Sequence, residues 1–260
     1  MLIDTHAHIH FDEYKNNLEE VLNNCVENKV AKIITVGTDE QNSKDALEFC
    51  YNNDFGKIQI YASAGIHPHD AERGDDSLLT LKELVVDGGY SDKLVAIGEC
   101  GLDYYRNNSS RSSQIRALEF QLQLALENGL PVIFHVRDAW DDFFSVLKNF
   151  QNIRGVIHSF TGTKKEADLA QVQNLYFGLN GIMTFTKIQD QLDAAKYIAK
   201  EYLLLETDCP FLSPEPKRGK RNEPANLKYT AEFLAKLRGD TYSEICEYTT
   251  TNAITLFGLK

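Results

Sequence analysis

Eight short runs rich in branched apolar residues recur along this chain, and helix-patterned sequence separates each from the next. They cover residues 2–8, 32–38, 60–67, 94–102, 131–136, 155–160, 175–183 and 203–208. A parallel neighbour can be reached only through a long crossover, so strand–helix alternation builds a parallel sheet. Eight repeats predict closure into an α/β fold, the (β/α)8 TIM barrel. The open doubly wound sheet is the competing topology, but no Gly-rich dinucleotide fingerprint follows the first strand. The 260 residues fit the ~250 typical of such a barrel. A single domain over 1–260 is therefore expected.

Six of the seven histidines fall at or just beyond the ends of these runs, in LIDTHAH, GIHPH, VIFHVR and VIHSF. Glu99 in GECGLD and Asp208 in ETDCP hold matching positions. His6 and His8 are two apart on a strand, so both point to one face, and two imidazoles aimed at one point suit a transition metal. A carboxylate can bridge two cations with its two oxygens. The expectation is a binuclear centre with His6, His8 and Asp208 on one ion, His135 and His158 on the other, and Glu99 between them. Histidine-rich ligation favours Zn²⁺, Mn²⁺ or Co²⁺ over Mg²⁺.

Composition narrows the partners. The net charge of −11 disfavours a nonspecific nucleic-acid coat or a binder of anionic membranes, but a local basic segment can still hold a phosphate. Five scattered cysteines without a Cys-x-x-Cys predict reduced core thiols rather than a disulfide framework. With the first strand starting at residue 2 and no long apolar run, the expectation is a cytoplasmic protein without a membrane span, monomeric by default.

The segments LIDTHAHIH, GIHPH, GECGLDYYR, PVIFHVRDAWDD, HSFTG, LLLETDCPFL and RGKRNEPANL resemble, in order, the successive motifs of the TatD family of metal-dependent deoxyribonucleases. The resemblance runs from residue 2 to about residue 227. It implies an amidohydrolase-type TIM barrel with His6, His8, Glu99, His135, His158 and Asp208 as ligands of two divalent ions, and Mg²⁺ as a competent metal. It further implies hydrolysis of DNA from the 3′ end, with single strands preferred. His10, Cys100 and Cys209 depart from the usual family residues. His10 is expected to be a solvated loop histidine, and the two cysteines to pack away from the site.

Phosphodiester hydrolysis would then use a water activated by metal, with Glu99 and Asp208 as the catalytic carboxylates and Asp208 taking the proton. His67, Arg137, Arg218 and Arg221 are the expected phosphate contacts; the last two lie in the basic run Lys217–Arg221, beyond the final strand. Tyr104, Tyr105 and Arg106 are split between base stacking and ordinary packing. A hydrolase of the same fold acting on a lactone, cyclic amide or ester is the alternative.

Overall fold

A computed structural model describes residues 1–260. Eight strands form one sheet in chain order: β1 (Leu2–Ala7), β2 (Val30–Val36), β3 (Gln59–Ala64), β4 (Leu94–Asp103), β5 (Val132–Arg137), β6 (Gly155–Ile157), β7 (Tyr176–Leu179) and β8 (Leu203–Leu205). The pairs β1–β2, β3–β4, β4–β5, β5–β6 and β7–β8 are parallel. Ala7 bridges Cys209 in the parallel sense, just beyond β8. This is the strand order of a (β/α)8 barrel, as the alternating sequence predicts.

The residues group into two compact units: Met1–Thr35, Asp54–Ile60 and Ser159–Lys260 in the first, Val36–Asn53 and Tyr61–His158 in the second. In the first, every residue of β1 is buried, and Phe177 and Tyr14 are almost fully enclosed. In the second, all ten residues of β4 are buried, and Phe134 packs edge-to-face on Phe143 with ring centroids 5.1 Å apart. Strands covered on both faces read as continuous apolar runs, which is why the sequence shows them so plainly. Each fully buried large apolar side chain contributes roughly 1.5–3 kcal/mol.

Six strands end earlier than their apolar runs: β1 by one residue, β2 by two, β3, β6 and β8 by three, and β7 by four. β7 stops at Leu179, where the run continues to 183, and Ile182–Phe185 is a turn of helix instead. Asn180 causes the change, its Oδ1 accepting the Ile182 N–H at 3.1 Å. β6 and β8 stop short because Ser159 and Asp208 adopt left-handed backbone conformations, with φ of 48° and 56°. The helix Arg111–Asn128 begins with Ser110 capping Ser113 N and ends on left-handed Gly129. No helix is long and apolar enough to cross a membrane.

Candidate metal centre

In the first unit, His6 Nε2 and His8 Nε2 lie 3.7 and 3.5 Å from the same oxygen, Asp208 Oδ1. The backbone sets this up. Asp208 N donates to His6 O and His8 N donates to Cys209 O, both at 2.8 Å, so the residues following β8 run alongside β1. The separations exceed hydrogen-bond length, yet ligands bound at ~2.1 Å around a tetrahedral ion stand about 3.4 Å apart. His6 is fully buried, while the Asp208 side chain keeps 16% exposure. Two imidazoles and a carboxylate at this spacing fit a divalent cation.

Glu206 and Asp4 support that cluster. Glu206 Oε1 accepts Ser159 N at 2.6 Å and Asn180 Nδ2 at 3.2 Å. Gly178 makes room for it, since a Cβ there would stand 2.1 Å from Glu206 Oε2. Asp4 accepts both N–H and O–H of Thr207, at 2.9 and 2.6 Å, and burial pushes its carboxyl up to about 8 against those hydrogen bonds.

In the second unit, three imidazoles converge on one oxygen. Glu99 Oε1 is 2.7 Å from His135 Nδ1, 3.2 Å from His158 Nε2 and 3.6 Å from His67 Nε2. Glu99 is brought there by close backbone packing between β4 and β5. A Cβ on Gly98 would stand 2.4 Å from Ile133 O, and one on Gly101 only 1.9 Å from His135 O. Both glycines have positive φ, so β4 lies against β5 in a form that a side chain would forbid. His158 N donates to Phe134 O at 2.9 Å, which fixes the third imidazole.

Asp103, at the end of β4, joins two more imidazole nitrogens. Its Oδ2 is 2.9 Å from His69 Nε2 and 3.1 Å from His135 Nε2, while Oδ1 accepts Tyr105 N and Arg106 N at 3.0 and 2.9 Å. Burial alone would raise this carboxyl; the His135, Arg106 and His69 hydrogen bonds win and hold it well below the usual carboxylate range. At His135, burial opposes the charged ring, but Asp103 and Glu99 raise its pKa above the ordinary value. His67 moves the other way, lowered by burial to about 3 despite the pull of Glu99. Both clusters pair imidazoles with a carboxylate, the donor chemistry of divalent-metal sites, and in the second the donor atoms of His67, Glu99 and His135 lie within 4.8 Å of one another.

The family model for TatD-related DNases matches residues 3–258. The chain belongs to this family. A relative from Bacillus subtilis (strain 168), an uncharacterized metal-dependent hydrolase named YabD, is 41% identical over the full length of both chains. The 3′-5′ ssDNA/RNA exonuclease TatD of Erwinia tasmaniensis is 34% identical, covering 99% of this chain and 100% of its own. Among solved structures, the TatD homologue YjjV of Escherichia coli K12 superimposes with a TM-score of 0.91 at 29% identity, covering 100% and 98% of the two chains. As a TatD-family member, the protein is a metal-dependent hydrolase acting on ester bonds.

The TatD fold places the other expected residues unevenly. Arg137 is exposed, its guanidinium 3.9 Å from the Tyr105 ring centroid. Arg218 lies 3.8 Å from the Phe185 ring and donates to Ser213 O at 3.2 Å. Arg221 donates to Glu13 O and covers the Tyr14 ring at 4.7 Å. Tyr104 is engaged in packing, its hydroxyl donating to Asp142 at 2.7 Å beneath the Arg111 guanidinium. His10 is not a solvated loop residue: its Nδ1 pairs with Thr35 Oγ1 at 2.7 Å and its ring meets Phe11 edge-on. Cys100 and Cys209 are fully buried, in keeping with their expected core role.

Sequence reasoning passed over the residues that hold the site's backbone. Gln121 and Gln114 are seven apart, so they share a face of the helix Arg111–Asn128. Gln121 accepts Ile66 N at 2.8 Å and donates to Ile66 O at 3.1 Å; Gln114 makes the same pair of bonds to Asp103, at 2.8 and 3.1 Å. In the loop beyond β8, Asn222 donates to Thr207 O and Phe211 O at 3.0 and 2.8 Å. Asp103 had a usable signal: it lies four residues past Glu99 on one strand, an even spacing.

Proposed function

We propose that the protein is a nuclease that hydrolyses phosphodiester bonds of nucleic acid, removing nucleotides from the 3′ end of single-stranded DNA. The reading is carried by the end-to-end similarity to the Erwinia exonuclease, whose name specifies that polarity and strand class. The donor chemistry of the two histidine–carboxylate clusters supports it.

In this reading His6, His8 and Asp208 would hold one divalent ion and His135 and His158 a second, with Glu99 as a further ligand. Bound ions of this kind lower the pKa of water from 15.7 to about 7 and neutralise charge on phosphoryl oxygens. Asp208 orients the attacking water and accepts its proton. The backbone hydrogen bonds that run the Asp208 segment alongside His6 and His8 hold the carboxylate in place before substrate arrives. Arg137, Arg218 and Arg221 bind flanking phosphates. Each guanidinium presents five N–H donors, so a single hydrogen bond to Ser213 or Glu13 leaves others for a phosphate.

The test strips the protein of metal, restores Mg²⁺, Mn²⁺ or Zn²⁺ separately, and follows cleavage of 3′-labelled single-stranded DNA and RNA. Wild type releases label only with metal, and Asp208→Asn loses about 100- to 10,000-fold in turnover while remaining folded. No cleavage with any metal would overturn the nuclease reading in favour of a lactone, cyclic amide or ester substrate.

A further inference from the structure

His67 approaches Glu99 and His135 closely enough to be taken for a third ligand, their donor atoms all lying within 4.8 Å of one another. The other ring nitrogen argues otherwise. His69 N donates to His67 Nδ1 at 3.1 Å. A backbone N–H can only donate, so Nδ1 carries the lone pair and the ring proton resides on Nε2. That protonated Nε2 is the atom facing Glu99 Oε1, at 3.6 Å, too long for a hydrogen bond between them. A protonated ring nitrogen has no lone pair to give a metal.

The sequence His67-Pro68-His69 explains why the ring is held this way. His67 is the residue before the short 3₁₀ turn Pro68–Arg73, with extended φ and ψ of −63° and 147°. Pro68 has no N–H, so the first backbone donor of the turn is His69, and the imidazole caps it as Asp or Ser usually would. The frame is rigid on all sides. His67 N donates to Thr38 O at 2.7 Å, Asp70 N donates to His67 O at 2.9 Å, and Gln121 clamps Ile66. The ring packs edge-on against His69 and His135, with centroids 4.3 and 4.5 Å away. Turning it over would break the cap.

We propose that His67 is locked in its Nε2–H form and serves as a hydrogen-bond donor to a phosphoryl oxygen, not as a metal ligand. The identity of the anion as a phosphodiester rests on the nuclease reading; the exclusion from the metal does not. A donor fixed by the main chain, beside Glu99 and His135, is suited to charge that builds on a phosphoryl oxygen.

The experiment uses the full chain loaded with Zn²⁺. A two-bond ¹H–¹⁵N spectrum of histidine-labelled protein, with His67→Gln for assignment, is expected to show His67 with an unprotonated Nδ1 and a protonated Nε2. Metal content and competition against a chromophoric chelator should leave His67→Ala and His67→Gln within about twofold of wild type, whereas His135→Ala loses binding at least tenfold. Inorganic phosphate should bind the metal-loaded His67→Ala about tenfold more weakly than wild type, and His67→Gln, which restores an N–H donor, should recover most of that loss. A proton on Nδ1, or loss of a metal equivalent in either His67 variant, would overturn the ligand exclusion. Unchanged phosphate affinity in His67→Ala would overturn the donor role. Failure to cleave nucleic acid, with these results intact, would strike only the identity of the substrate.

Discussion

Asp103 Oδ2 stands 3.1 Å from His135 Nε2, on the side of the ring opposite Glu99. An ionised carboxylate can only accept, so Asp103 holds a proton on Nε2, and a cation bound at Nδ1 would replace the proton that Glu99 Oε1 attracts there at 2.7 Å. Asp103→Asn should disturb this without removing a ligand. The Tyr105 and Arg106 N–H groups require an oxygen, which turns the new amide N–H₂ towards His135 and His69. We expect a 10- to 100-fold loss of metal affinity, with the metal-free protein melting within a few degrees of wild type. Chelator competition and thermal melts together check this.

Glu206 and Gly178 should be energetically coupled. Gly178→Ala forces a methyl group into Glu206, and Glu206→Ala strips the acceptor from Ser159 N and Asn180 Nδ2. Each change is expected to cost about 1–3 kcal/mol in urea unfolding. The double variant should cost clearly less than the sum, because Gly178→Ala has nothing left to displace. Additive losses would show that the two residues act apart.

The five thiols are buried and unlinked, and should not react with Ellman's reagent at pH 8 until the protein is unfolded. Cys50 also predicts a pH effect. Burial pushes its thiol up to about 12 in the folded chain, against the opposing influence of Lys93 and an ordinary value near 9. Between those values the unfolded chain has released the proton and the folded chain keeps it, so stability falls as pH rises from 9 towards 12. Cys25, Cys100 and Cys209 are raised the same way, so Cys50→Ala should lessen that slope in denaturant titrations, and an unchanged slope would remove Cys50 as a contributor.

Metal should stabilise the fold as well as supply chemistry. A cation binding only the native state at 100 times its Kd adds about 2.7 kcal/mol. Stripping with a chelator should therefore lower Tm, and adding back Zn²⁺ or Mn²⁺ should restore it. His6→Ala should blunt the response by removing a donor from the Asp208 cluster. Identical melting with and without metal would argue against preformed sites.

Much of the architecture was legible because parallel strands buried on both faces write themselves as unbroken apolar runs. β1 and β4 are such strands, and the histidines and carboxylates that gather into the two clusters stand at or near the ends of the runs. The strand ends themselves were not legible. They are decided by Asn180 capping a helical turn and by left-handed backbone at Ser159 and Asp208, which apolar periodicity does not report. Gln114 and Gln121 were hidden for a different reason. A polar residue on an amphipathic helix is ordinarily read as solvent-facing, yet both are fully buried and spend their amide groups on the backbone at Asp103 and Ile66. Arg218 and Arg221 show the converse, since a basic run announces charge but not the carbonyl oxygens and aromatic rings its members will meet.

Thr5 and Leu205 are hydrogen bonded across a sequence separation of 200, and the His6–His8–Asp208 cluster closes around the same pairing of chain segments. During synthesis, His6 and His8 therefore exist long before their carboxylate partner. At ~5–20 residues per second, that interval is about 10–40 s. A nascent chain carries two histidines on an unfinished strand, a poor trap for a cation, and only the nearly complete polypeptide offers the third donor. If this cluster holds a cation as proposed, its loading would come late, governed by the metal pool that the nearly finished chain meets and not by the one present earlier in synthesis.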